Sequence, residues 1–483
     1  MKNKSQLPFT MVDLFAGCGG LSLGMENAGF TPVFVSELNP DAMATYLANR
    51  HHQVGGKPFS EQTQLHCNDA NELQGPRLER IVADLSALGL TLPDLAEAKM
   101  ASNKGNLDLL AGGPPCQGYS GIGHRRSYAV DKKGLPSNQL FGRMAQIIRR
   151  LRPRIFLFEN VRGILTSKWT QEGNDLIWPD VWGEFRKIPG YHVRYTLVRA
   201  ADYGVPQNRP RVLLVGIRDD IVETSSIVDL SADEEDAVEC GFLPKGNPSE
   251  APGIEELLSD LVDPLIKRAL ETEDFPRGKF ETAEYPCPPQ SLIQEKLRAP
   301  PPSHEEQSGK LTDHEYSKHA RRIVEKFSFM IENGGEIPEW AQTKKFAQRV
   351  LPATWADGRP TITATSMPDD YIHFCQPRIL SVREWARMQL FPDWYRFMGN
   401  RTTGGIRRAG NPKEGVFYRE VPKYTQIGNA VPVALAERVG AHFKRLLENT
   451  MEDTNKDRLS RGDGTGGVFD AYYPDSLAGS NND

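Results

Sequence analysis

The stretch Asp108-Leu-Leu-Ala-Gly-Gly-Pro-Pro-Cys116-Gln-Gly-Tyr-Ser120 constrains this chain more than any other. It opens as a short apolar run, Leu107 to Ala111, long enough for one buried strand. Gly112 and Gly113 then permit a sharp turn and close approach of a ligand to the backbone. Pro114 and Pro115 have fixed φ and no amide hydrogen, so the loop is stiff and extended. A cysteine follows at once. Strand ends in open α/β sheets are where ligands bind, and the flanking Gly, Pro, Gln and Ser are not core residues. Free cysteines are usually small buried hydrophobes; Cys116, in this setting, reads as a nucleophile.

A second strand-and-loop unit lies at the N-terminus. Thr10 to Leu14 is apolar, Gly17, Gly19 and Gly20 follow, and Leu21 to Gly29 has helical character. Strand, glycine loop and helix together bring backbone amides close to a nucleotide-like ligand. The spacing is not the dinucleotide fingerprint. Pro32 to Glu37 is the next strand. It ends in an acid at the offset, about 20 residues on, where a carboxylate reaches ribose hydroxyls; a solvated loop acid is the plain alternative. Asp69, in His66-Cys-Asn-Asp, stands where a third strand should end, and an adenine amino group is a plausible partner. Pro153 to Val161 is another apolar strand, and it ends in Glu159. A desolvated acid there has a raised pKa, which suits proton sharing with a substrate near neutrality.

The remaining signals are basic. After Cys116 comes a glycine-rich stretch with Arg125 and Arg126, read as a lid whose cations meet phosphates, or as a solvated loop. Tyr195 to Ala200 and Arg211 to Ile217 pair as strands. Between them, Arg209 and Arg211 should point the same way on an extended segment; they hold a carboxylate and a phosphate, or form a solvated edge. Residues 219–310 turn acidic and then proline-rich, marking an insertion or a second domain. Helical periodicity returns over His314 to Ile331. Ser381 caps a helix running to Leu390, with Glu384 at the capping-box position. Gly399 to Gly415 is a Gly/Arg-rich loop with Arg401, Arg407 and Arg408, placed either along a phosphate backbone or in solvent. An amphipathic helix ends near Leu447, and the tail from Met451 has a disordered composition.

Composition narrows the classes. The 483 residues suffice for two domains. The net charge of −5 gives no global sign of a nucleic-acid partner, although charge is also arranged locally. Six cysteines without C-x-x-C spacing argue against a zinc site and a disulfide framework. No run has the length of a transmembrane helix, and no apolar leader opens the chain. The expected setting is the cytoplasm, with no metal and no membrane partner.

These pieces, in this order, resemble the DNA (cytosine-5)-methyltransferase family. The matching motifs are Asp13-Leu-Phe-Ala-Gly-Cys-Gly-Gly-Leu-Ser, Glu37-Leu-Asn-Pro, Gly113-Pro-Pro-Cys-Gln-Gly-Tyr-Ser, Glu159-Asn-Val, Gln207-Asn-Arg-Pro-Arg, the block from Arg378 to Asp393, and Gln426-Ile-Gly-Asn-Ala-Val-Pro. The resemblance implies an α/β fold, a Rossmann-like S-adenosyl-methionine-dependent domain with a smaller target-recognition domain inserted. The expected boundaries are 8–218 for the catalytic part, 219–421 for the recognition domain and insertion, and 422–447 for the returning motif and helix. Cys116 is implied as the nucleophile, Glu159 as the partner of cytosine N3, and Arg211, supported by Arg209, as the group that positions both. Phe15, Ala16, Gly17, Gly19 and Gly20 are implied to line the cofactor site. Glu37 is implied to bind the ribose and Asp69 the adenine, with Asn429 closing the pocket. Double-stranded DNA is the implied partner, with a cognate restriction or defence nuclease beside it, and the chain is expected to act as a monomer.

Tyr119 stands where many members have Phe, and the Cys-Phe-Thr signature of the tRNA-methylating branch is absent, which favours DNA. An RNA cytosine-5 methyltransferase and a non-catalytic DNA-binding regulator of the same fold remain as alternatives at this point. Nothing in 219–375 decodes into a base sequence.

Overall fold

The computed structural model describes residues 9–101, 105–115, 139–169, 174–264, 284–301, 310–342, 348–352, 361, 369–403 and 420–460, with side chains to residue 448. Its centre is a seven-stranded sheet. The strands are β1 (Thr10–Leu14), β2 (Thr31–Ser36), β3 (His66–Cys67), β4 (Leu109–Gly112), β5 (Ile155–Val161), β6 (Tyr191–Arg199) and β7 (Pro210–Arg218). They lie in the order β3-β2-β1-β4-β5-β7-β6. β3, β2, β1, β4 and β5 are parallel, and β7 runs antiparallel between β5 and β6. This is a Rossmann-like arrangement. Strand order reverses between β1 and β4, which opens a crevice at their carboxyl ends.

Continuous apolar runs form these strands because helices cover both faces. Along β4 and β5 the side chains alternate. Leu110, Phe156 and Phe158 join one core with α2 (Pro40–Ala48), α3 (Gly75–Ala87), α4 (Leu140–Leu151) and α5 (Trp178–Arg186). Leu109, Ala111, Ile155 and Leu157 join the opposite core. There they meet α1 (Gly20–Asn27) and the long C-terminal helix Val433–Ser460, whose Leu435, Val439 and Phe443 are buried. That helix runs past the end expected near Leu447, through the first residues of the tail read as disordered.

The acidic segment after β7 belongs to this body. Ala237, Cys240, Phe242 and Leu243 are buried beside Leu213 and Val215. Backbone bonds from Tyr195 N–H to the Glu234 carbonyl (3.3 Å) and from Ala237 N–H to the Tyr195 carbonyl (3.2 Å) cover the outer edge of β6. Packing therefore does not change at residue 219, where the composition does. A third core begins with Ile254, Leu257, Leu258 and Leu261 and gathers Trp385, Phe391, Tyr395 and Ile427 against Cys18 and Leu23 of the first loop and α1. The helix expected from His314 begins only at Arg321 and ends at Glu332; His314 is instead buried, with Nδ1 2.8 Å from Ser381 Oγ. Ser381 and Glu384 form the expected capping box. Among the described residues no helix is long and apolar enough to cross a membrane.

Helix α1 meets the C-terminal helix through glycine. A Cβ on Gly24 would lie 2.4 Å from both the Ala436 Cβ and the Val433 carbonyl. Gly24→Ala should force these helices apart and lower stability by about 2 kcal/mol, read as a fall in urea midpoint at constant slope. An unchanged midpoint would mean that the two helices tolerate a wider spacing.

Candidate active site

The carboxyl ends of the parallel strands bring the candidate residues to one edge. Phe15 to Gly17 follow β1, Glu37 follows β2, Asp69 follows β3, Gly113 to Pro115 follow β4, and Glu159 lies near the carboxyl end of β5. Arg211 reaches the same edge from the start of β7, paired with Val161 across the ladder.

On the β4/β5 side, Arg211 Nε lies 2.6 Å from Glu159 Oε1, and both side chains are about nine-tenths buried. The carboxylate at the end of this apolar strand is thus paired with a guanidinium, which offsets its desolvation. A Cβ on Gly113 would lie 2.8 Å from Glu159 Oε2, so the turn toward Pro114 passes directly over that carboxylate. Asn160 Nδ2 donates to the Pro114 carbonyl (3.1 Å) and fixes the rigid loop from below. The sequence gives Asn160 no role of its own, although it stands inside the Glu159-Asn-Val motif. Cys116 lies outside the described residues, and so do Arg125, Arg126, Arg407 and Arg408.

Arg209 reaches the returning motif. Its guanidinium is buried and donates from Nη2 to the Gly428 and Ala430 carbonyls, at 2.6 and 3.0 Å. Residue 209 precedes the strand, so the alternation expected to align the two arginines does not extend to it. Gln207 is held likewise, donating to the Met388 carbonyl and to Gln389 Oε1. This segment clamps the returning motif to the sheet. Asn429 stays exposed between those clamped carbonyls, at the end of the helix Lys423–Asn429.

On the β1/β2 side, Glu37 Oε2 accepts from Gly17 N–H (2.8 Å) and Oε1 from Asn39 N–H (2.7 Å). Burial pushes its pKa upward against these two bonds. Each oxygen keeps a lone pair for a further donor. Phe15 holds a left-handed backbone at φ 58°, a conformation that costs a non-glycine residue about 1 kcal/mol or more. A Cβ on Gly17 would meet nothing within 4 Å. Leu38 is 69% exposed beside the carboxylate, an apolar platform that the sequence reading passed over because a single leucine in a turn carries no pattern. An acid with free lone pairs, open space over a glycine and an exposed apolar side chain together fit an adenosyl group. Asp69 is half-buried, and its Oδ1 already accepts from Asn71 N–H and Nδ2.

Gly19 and Gly20 are also closely approached by protein. A Cβ on Gly19 would lie 2.5 Å from Arg50 Nη1, and one on Gly20 would lie 2.4 Å from the Val431 carbonyl. A side chain at either place would collide with these neighbours. Arg401 is also engaged: its Nη1 donates to the Glu315 carbonyl at 3.3 Å, so it is not a free surface cation. Among the described residues no cluster of ligating side chains could hold a metal ion.

Beneath the glycine loop, Asp13 is fully buried. Its Oδ2 accepts from Ser22 Oγ at 2.5 Å, and Oδ1 has no partner among the described residues. Burial pushes its pKa up to about 7. An unfolded Asp ionises near 3.9. Between these values the folded state binds more protons than the unfolded state, so stability falls as pH rises. Wild type should therefore lose about 4 kcal/mol relative to Asp13→Asn between pH 4 and pH 8. Urea unfolding of both proteins across that range checks this, and parallel curves would show that Asp13 is ionised throughout.

Comparison with known proteins agrees with this arrangement. The model of the C-5 cytosine-specific DNA methylase family matches residues 9–75 and 92–445. Type II methyltransferase M.DdeI of Desulfomicrobium norvegicum is 29% identical over 463 residues, covering 92% of this chain and 91% of its own. Type II methyltransferase M.XorII of Xanthomonas oryzae pv. oryzae is 27% identical over 457 residues, covering 94% and 88%. A crystal structure of a prophage-encoded E. coli protein, assigned as a DNA modification methyltransferase, shares the fold at 22% identity. Its TM-score is 0.59, over 91% of this chain and 99% of its own.

Proposed function

The chain belongs to the C-5 cytosine-specific DNA methylase family and is a DNA (cytosine-5)-methyltransferase; from that premise we propose that Cys116, Glu159 and Arg211 act on a cytosine turned out of duplex DNA. The observation that carries this reading is the buried Glu159–Arg211 pair lying against Gly113, three residues before Cys116. C5 of cytosine is a poor nucleophile until a covalent adduct activates the ring. The Cys116 thiolate adds to C6 and forms a C–S bond. Glu159, held by Arg211, hydrogen-bonds N3 and shares a proton there as charge moves into the ring. C5 then takes the methyl group. Loss of the C5 proton and expulsion of the Cys116 thiolate break the C–S bond and restore the aromatic ring. A stacked base offers neither C5 nor C6 to these groups, so the base must leave the duplex.

S-adenosyl-methionine supplies an electrophilic methyl group on sulfur. The residues suited to hold it are Phe15, Ala16 and Gly17 along the methionine and adenosine, Glu37 at the ribose hydroxyls and Leu38 against the adenine face. Asp69 would meet the adenine amino group and Asn429 would close the pocket. Arg125, Arg126, Arg407 and Arg408 are proposed to meet the DNA backbone. The relatives named Type II methyltransferases support a role in marking DNA against a paired nuclease.

Bisulfite sequencing of a plasmid from cells expressing the protein tests the reaction. Wild type should protect cytosines in one short sequence context, and Cys116→Ala should protect none while still binding S-adenosyl-methionine. Protection by Cys116→Ala would sink the covalent route. Glu37→Ala should weaken cofactor binding at least tenfold and leave DNA affinity within about twofold, as expected for loss of charge-assisted hydrogen bonds to a ligand. Calorimetric titration with each ligand reads the difference.

A further inference from the structure

The glycine loop is held from behind by two side chains for which the proposed chemistry has no use. Tyr395 OH donates to the Cys18 carbonyl at 2.5 Å. Arg50 Nη2 donates to the Gly19 carbonyl at 3.0 Å, and its Nη1 to Tyr395 OH at 2.6 Å. Arg50 is completed by Glu26 Oε1 (2.9 Å) and by the Tyr46 ring, whose centroid lies 3.8 Å from the guanidinium carbon. Both side chains are buried. Burial raises the Tyr395 pKa, so the phenol stays protonated and remains the donor to Cys18.

The two partners come from opposite ends of the chain. Arg50 follows α2, the helix capped by Asn39 beside Glu37. Tyr395 opens a strap, residues 395–398, that belongs to the third core. Asn49 grips the strap at Arg396 in both directions, with Nδ2 to the carbonyl (2.8 Å) and Oδ1 from the amide (2.9 Å). Met398 N–H donates to Thr45 Oγ1, which donates to Gln426 Oε1. On the far side, Arg383 Nη2 donates to the Tyr395 carbonyl at 2.6 Å.

The front of the same loop is the cofactor face. Ala16 N–H is bound to the Ser36 carbonyl, Gly17 N–H to Glu37, and Gly19 N–H to the Ala16 carbonyl. With the Cys18 and Gly19 carbonyls pinned from behind, the peptide planes of residues 15–19 have one orientation. A loop ordered before binding spares the ligand that ordering cost.

We propose that Tyr395 and Arg50 are positioning residues for the cofactor. They hold the Cys18 and Gly19 carbonyls, so that docking of the 395–398 strap sets the affinity for S-adenosyl-methionine. The inference rests on the assignment of the cofactor to Glu37 and the Phe15–Gly17 loop.

Tyr395→Phe removes one hydroxyl and leaves the ring packing intact. The expected result is a roughly tenfold rise in the Kd for S-adenosyl-methionine by calorimetry. The Kd for a fluorescent duplex DNA of mixed sequence should stay within about twofold. A lower melting temperature with an unchanged cofactor Kd would make the contact merely structural and overturn the proposal. A parallel rise in both Kd values would overturn it as well, since general loosening would then explain the effect. Glu37→Ala, measured alongside, separates the two readings. If it weakens cofactor binding and Tyr395→Phe does not, only the present inference fails; if neither does, the cofactor assignment fails and takes the inference with it. Should Tyr395→Phe not fold, Asn49→Ala carries the same test. It frees Arg396 without touching either loop carbonyl, and the same rise in cofactor Kd is expected.

Discussion

The structure depends on how closely the end of the chain approaches its beginning. The Val431 carbonyl occupies the space where Gly20 would carry a Cβ, and the Ala436 methyl and Val433 carbonyl occupy that of Gly24. Gly440 repeats the contact against Ala28 and Met25. Side chains at these places would hold the C-terminal helix off α1, and the motif Gln426 to Pro432 would leave the glycine loop at Cys18 and Gly20. The returning motif is pinned from a second side by Arg209 and Gln207, which bind the carbonyls of 428 and 430 and the 388–389 turn. Cys18 Sγ adds a contact to the Gln426 carbonyl. Three segments far apart in sequence thus converge on one short loop.

The second region is built in another way. Its core combines apolar residues with buried ion pairs. Arg378 binds Glu384 through both Nη atoms, at 2.8 and 2.6 Å. Arg387 joins Asp260 and Asp393, and Arg298 shares Asp260. Arg383 reaches the Thr312, Pro392 and Tyr395 carbonyls. Desolvating so many charges gains little net stability against an apolar core. What such pairs provide is geometry, since a planar guanidinium accepts its partners in few arrangements. Burial alone would raise the Glu384 pKa, yet Arg378 and His373 hold it well below the carboxylate range, so the pair stays charged inside the protein. Through Arg383 and Tyr395 this network reaches the glycine loop.

Much of the catalytic body was legible in the sequence, because its signals are local. Apolar runs ending in glycine, acid or proline mark β1, β2, β4 and β5, and a parallel sheet buried on both faces needs such runs. Since strand ends are where ligands bind, Glu37, Glu159 and the Gly-Gly-Pro-Pro turn were readable as candidates from their place at the ends of these runs. In the region from 254 to 400 the capping box at Ser381 and Glu384 was legible, but the buried ion pairs were not, because arginine and carboxylate side chains leave no apolar period. Arg387 finds Asp260 127 residues away, and no window of sequence shows that pair.

The sequence by itself determined the main strands and the candidate residues at their ends, because these follow from hydrophobic runs and the residues that end them. Tertiary structure alone decided which of the marked residues face that edge. It gave Gly17 open space and gave Gly19 and Gly20 to Arg50 and Val431. It turned Arg209 toward the returning motif and Arg211 toward Glu159, although the two lie one residue apart. It also kept the acidic stretch before residue 243 within the catalytic body. Each of these outcomes depends on a partner far along the chain, and the position of such a partner exists only once the chain has folded.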